Sequence, residues 1–229
     1  PIDVPAKGTF ISELHEADVY VRRELVNGFD PRRVPYALDV NSLDQVPRSS
    51  WFRPPAEVRV PLADYYRDGP PQEPWRALPK HQPASETPEA TVIMDARGSQ
   101  YELLADIADR PHMRSGAAVI ASRLIHAIGY YTAEVYVVTD DKGKRYAATR
   151  WPVGIDLGPT PMTTPRDGDS NDRIAHSHRR TLRVLERVAA WLGITRMKPR
   201  LLRDVYVGKP GKGHVQHWVV GLDGALGVA

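Results

Sequence analysis

Cysteine is absent from this chain of 229 residues. That excludes disulfide bridges and thiolate metal sites and leaves the compartment open, because reducing and oxidising locations both accept a Cys-free protein. Long apolar runs are missing as well: nothing approaches the roughly eighteen consecutive apolar residues of a membrane-spanning helix. A strong charge of either sign is also lacking. The formal net charge of +3 gives no bulk argument for nucleic acid or a membrane surface. What remains is 41% hydrophobic and 26% charged residues, the composition of an ordinary soluble globular protein with enough length to bury a core in one or two domains.

Three regions are expected: 1–90, 91–152 and 153–229. The first is an N-terminal extension in which Ile11, Leu14, Val19, Val21 and Leu25 fit neither the helical nor the strand period. It runs into a stretch, 54–88, that holds nine of the 21 prolines, so an extended arm poor in ladder hydrogen bonds is predicted there. Trp51, Phe52, Tyr65, Tyr66 and Trp75 are too apolar to be left in water. The arm should therefore wrap a surface, and these rings are candidate partner-binding residues.

The second region predicts strands over 91–95 and 100–105 about an Ala96-Arg97-Gly98 turn, a helix over 115–128 with Ser115 as N-cap and Gly129 as C-cap, and a second hairpin over 134–139 and 145–151. In the third, a long helix from Asn171 is expected to bury Leu182, Leu185, Val188, Ala189 and Leu192, with His176, Arg180, Arg183 and Arg187 opposite. A hairpin over 204–208 and 214–220 follows. The glycines and lysines between its strands suit a turn better than a phosphate loop, since no helix follows them.

Between Arg173 and Arg203 only Glu186 opposes a run of arginines and one lysine. The run reads either as a solvated face or as a contact for an acidic partner, with Arg180, Arg183 and Arg187 as its candidates. Nucleic acid is not expected, because aromatics are not interleaved and no binding motif is present. His176, His178, His214 and His217 lack metal-ligand spacing, and no metal is expected.

Five segments resemble a large, uncharacterised bacterial family with a kinase-like core. Asp39-Val40-Asn41-Ser42-Leu43-Asp44-Gln45-Val46-Pro47-Arg48-Ser49-Ser50-Trp51-Phe52 is similar to its D-x-N-x-L-D-E-V-P-D-S-S-W-F. Residues 115–130 resemble its G-A-E-V-I-x-S-R-L helix, and 168–180 its D-D-P-N-D-x-x-P-H-E-x-R-R. Trp191-Leu192-Gly193-Ile194-Thr195-Arg196 and His217-Trp218-Val219-Val220-Gly221 resemble W-L-N-H-T-D and H-Y-L-I-D-F-G. The resemblance implies an α+β fold: a degenerate protein-kinase-like core of antiparallel sheet plus helices, behind the Pro-rich arm, with the C-lobe reduced to a helix and a hairpin. It also implies an extracytoplasmic location, periplasmic or in the cell envelope.

Phosphoryl transfer of this type needs a strand Lys paired with a helix Glu, a catalytic-loop Asp and Asn, and a metal-binding Asp. The resemblance puts Leu104, Ala118, Arg196, Leu201 and Gly221 in those places. Leucine holds neither phosphate nor Mg²⁺, and arginine accepts no proton. The expectation is a non-catalytic, pseudokinase-like structural or accessory subunit of a larger protein assembly, with no catalytic residues and no cofactor. The alternative is a phosphotransferase-like enzyme of rearranged mechanism using Asp204, Asp223 or His217, which needs a polar cleft with perturbed titration around those side chains.

Overall fold

Among the described residues, apolar side chains fall on strands and helix faces so that two antiparallel sheets and two α-helices can share cores, and a mixed α+β fold results. The computed structural model describes residues 1–8, 21, 37–54, 69–79, 89–194 and 201–228. Strands β1 (Arg76–Ala77), β2 (Thr91–Met94), β3 (Gln100–Ala105), β4 (Val135–Thr139) and β5 (Arg145–Arg150) form a five-stranded sheet in the order β1-β2-β3-β5-β4. Strands β6 (Ile155–Pro159), β7 (Leu202–Val207) and β8 (His214–Val219) form a three-stranded sheet in sequence order. The expected hairpins all form, with ends within two residues of those predicted.

Helix α1 (Met113–Ile128) lies between the two halves because its buried residues are mostly small. Ala118 packs with Val135 and Ala147 of the larger sheet. Ala121 and Ile125 enter the main core together with Leu182, Leu185 and Ala189 of α2 (Arg180–Trp191), and with Trp51, Tyr130, Leu201 and Val219. Gly129 ends α1 at φ +118°, a left-handed conformation that favours glycine. A side chain there would also collide with the Arg53 carbonyl and the Phe52 ring. Beyond it, the Tyr131 carbonyl accepts from Val219 N at 2.8 Å and Ala133 N donates to the Val219 carbonyl at 3.0 Å, so backbone joins the lead-in of β4 to the end of β8.

Both helix starts differ from expectation for one reason: an aspartate from another element supplies the cap. Ser115 is the third residue of α1 rather than its N-cap, and the Asp106 carboxylate accepts from its N–H at 2.7 Å and its hydroxyl at 2.9 Å. The long helix expected from Asn171 begins only at Arg180, after a turn of 3₁₀ helix at His176–His178. Residues 163–179 spend their hydrogen bonds elsewhere: Asp169 closes a turn onto Asn171 and Asp172, and His176 N donates to the Thr163 carbonyl. Asp39, 141 residues before Arg180, then caps α2, accepting from Arg180 N at 2.6 Å, Thr181 N at 3.1 Å and the Thr181 hydroxyl at 2.8 Å.

Where the proline-rich arm is described, it lies on its own sheet. β1 pairs with β2, Ala96 N donates to the Gln72 carbonyl, and Trp75 packs against the core cluster that includes Ile93, Tyr101 and Tyr136. Ile11, Leu14, Val19, Leu25, Tyr65 and Tyr66 lie outside the described residues. Among the described residues no helix is long and apolar enough to cross a membrane.

The cap at α2 is testable. Asp39→Ala leaves three donors of the first turn without their acceptor, and a loss of about 1–2 kcal/mol is expected from urea unfolding midpoints. Asp39→Asn keeps an acceptor oxygen and should lose less. An unchanged midpoint for Asp39→Ala would mean that the cap contributes nothing.

Candidate functional site

Two of the segments singled out in the sequence, 39–52 and 168–180, meet over the β7–β8 hairpin around Trp51. Ser49 shapes the approach, its hydroxyl accepting from Trp51 N at 3.2 Å, and the Ser50 carbonyl accepts from His217 N at 3.0 Å. Trp51 is 1% exposed. Its ring stacks on His217 at 3.7 Å between centroids and 13° between planes, and meets His176 edge-on at 4.8 Å. The Arg179 guanidinium lies over the indole at 5.7 Å.

Beneath the indole are two carboxylates. Asp204 and His217 face each other across the β7–β8 ladder, and His217 Nδ1 lies 2.7 Å from Asp204 Oδ1. Asp204 also accepts from the Thr160 hydroxyl and from Arg166 Nε. Asp172 accepts from His176 Nε2 at 2.7 Å, from Arg179 Nη2 and from Arg166 N at 3.3 Å. The other nitrogen of His176 faces the Pro161 carbonyl at 2.5 Å. The side chains of Asp172, His176, Asp204 and His217 are all fully enclosed.

Burial alone would raise the Asp204 pKa. His217, Arg166 and Thr160 outweigh it and hold that carboxyl down to about 2. Asp172 is likewise held below the usual carboxylate range: burial opposes ionisation, and the hydrogen bond and charge of His176, then His217 and Arg179, overcome it. His217 Nε2, Trp51 Nε1 and Arg179 Nε are buried without a hydrogen-bond partner among the described residues. A carboxylate on one nitrogen of an imidazole and a free second nitrogen is the chemistry of a general base. Here the ring is 1% exposed and lies flat against Trp51. Among the described residues no three His, Asp or Glu side chains gather as a metal-binding set.

The sequence candidates are distributed as follows. Asp204 and His217 come together, whereas Asp223 lies beyond the end of β8, half-buried and outside the cluster. Trp51 is in the main core, Phe52 packs partly buried against it and edge-on to Tyr130 at 5.5 Å, and Trp75 packs against the larger sheet. What these three rings cover is the chain itself. Arg180 donates to the Asp44 carboxylate at 2.6 Å, while Arg183 and Arg187 stand exposed on the outer face of α2. Of the kinase-slot residues, Leu104, Ala118 and Leu201 are buried, Gly221 has φ +25°, and Arg196 lies outside the described residues.

Sequence reasoning missed Thr160, Arg166, Asp172 and Arg179. Asp172 and His176 had a usable signal in their spacing of four residues, and Arg203-Asp204 in an otherwise apolar strand was another. Thr160 and Arg166 carry none, because loops bring them to the site. No protein-family model matches this chain, and no curated protein does.

Asp204 and His126 predict the acid response. Asp204 has a folded value of about 2 against 3.8, so its stabilisation is complete above about pH 4 and is lost as pH falls toward 2. His126 is shifted from 6.5 to about 4 by burial and by Arg53, so the unfolded chain takes up the proton first and stability falls between about pH 6.5 and 4. Unfolding free energies against pH should therefore decline in two steps, and His126→Gln should flatten the upper one. Asp204→Asn leaves Arg166 buried without its counter-charge, with an expected loss of about 3–5 kcal/mol at pH 7. A loss below 1 kcal/mol would contradict that account.

Proposed function

We propose that this chain has a degenerate kinase-like core and acts without catalysis, as a structural or accessory subunit of a protein assembly. The observation that carries the reading is the apolar filling of the helix–sheet interface where the resemblance puts the Lys–Glu pair. Leu104 pairs with Ala147 in the β3–β5 register, so both face the same side, and Ala147 packs on Ala118 of α1. Leu104 and Ala118 are 3% and 2% exposed. An ion pair replaced as a unit by apolar groups need not cost stability, so a fold can outlast its chemistry.

The order strand, strand, helix, strand, strand, with the helix on the sheet, also supports a kinase-like N-lobe. Leu201, in the slot of the catalytic-loop Asn, belongs to the main core and offers nothing to a metal ion. The assembly is proposed to be extracytoplasmic on the resemblance alone. The enzyme reading has one observation in its favour, the Asp204–His217 pair with its free Nε2. Against it, the pair sits under Trp51, where a reacting group would first have to displace the indole.

Calorimetry and thermal unfolding with Mg-ATP test the proposal. No heat of binding and no rise in Tm are expected at about 1 mM nucleotide, where even a 10 μM site would raise stability by about 2.7 kcal/mol. Micromolar binding with phosphoryl transfer would sink it, and loss of that turnover in His217→Ala would assign the chemistry to the buried pair.

A further inference from the structure

We infer that the outer face of α2, built from Arg180, Arg183, Val184, Arg187 and Trp191, is a docking surface for an acidic, amphipathic segment of a partner protein. At about 100° per residue these five positions fall within an arc of about 100°. The opposite face carries Leu182, Leu185 and Ala189 into the core. A solvated helix face ordinarily mixes signs and holds no large ring. This one is cationic along its length, with Glu186 lying off the arc, and it carries Val184 at 38% exposed and, about two turns on, an indole 72% exposed. Tryptophan and arginine are the side chains most enriched where protein interfaces concentrate their energy.

The chain already demonstrates the contact at one end of the stripe. Asp44, from the extension, places its carboxylate on Arg180 Nη2 at 2.6 Å and its carbonyl on Nη1 at 2.7 Å, and neighbouring Leu43 is 73% exposed. Arg183 and Arg187 form no such pair among the described residues. They stand one turn apart, about 5–6 Å, which matches carboxylates three or four residues apart on a partner helix. One ring and one valine between arginines offer little to insert into a bilayer, because the broad apolar face of α2 is spent on the core. A protein carrying acidic and apolar residues at helical spacing satisfies both the guanidinium groups and the indole.

The inference rests on the accessory-subunit reading, since it supplies that subunit with a contact. Its probe is a synthetic helical peptide with Glu at i and i+4 and Leu at i+3 and i+7. The controls are the same peptide with Lys for Glu, and vesicles containing anionic phospholipid. The acidic peptide is expected to bind the full chain with a shift in tryptophan emission and an affinity that falls with salt. R183E/R187E should weaken it at least about tenfold and W191A severalfold. All three positions are exposed, so the variants should keep the parent Tm and circular dichroism. Failure of the acidic peptide to bind, equal binding by the Lys peptide, indifference to R183E/R187E, or preference of the same face for vesicles would each overturn the docking surface. Mg-ATP turnover would instead sink the non-catalytic reading, whatever the peptide does.

Discussion

The burial of Trp51 over two aspartates, two histidines and two arginines is the constraint on which the rest of the structure depends. Ionised groups taken out of water cost several kcal/mol each unless paired, and a pair left incomplete is worse than none. Asp204 meets its partners only if β7 and β8 are in register and the loop bearing Thr160 and Arg166 closes over β7. Because strand side chains alternate, a slip of one residue in either strand would turn Asp204 or His217 to the other face. The cluster thus adds specificity to an arrangement whose free energy comes mainly from the apolar core around Leu185, Leu192 and Leu201.

The helix caps extend the same logic to the N-terminal extension. The residues just before α1 and α2, His112 and Arg179, make no side-chain cap, and Asp106 and Asp39 take over from outside. Asp39 satisfies the first turn of α2 only when the extension is docked, and docking also brings Asp44 to Arg180 and Trp51 to His217. Residues 39–52 and the start of α2 are therefore tied together, and that segment is part of the core-forming unit.

Strands β2 to β5, β7 and β8 and most of α1 were legible in the sequence because their apolar periods and turn residues are local signals. The start of α2 was not, because the apolar period runs on toward Asn171 while the backbone there is drawn off by Asp169, Asp172 and His176. Asp204 and His217 were recognisable as chemistry but not as partners, since a hairpin's register decides who faces whom. Trp51 and Phe52 were recognisable as rings that need cover. That their cover is His217 and Tyr130 follows from tertiary packing, which single-residue patterns do not encode.

The placement of charge is one support for the proposed non-catalytic reading. A phosphate site needs cations and metal-binding carboxylates turned toward one open cleft. In this chain the carboxylates with the most strongly defined surroundings, Asp172 and Asp204, are turned inward and already held by side chains of the chain itself. Arg183 and Arg187, not engaged within the described structure, are turned outward on a helix flank. The helix–sheet interface of Leu104, Ala118 and Ala147 is apolar. Bringing a triphosphate there would strip it of water against groups that cannot replace its hydration. In the proposed accessory role, the cationic outer face of α2 with its exposed indole would be the side on which the molecule is recognised.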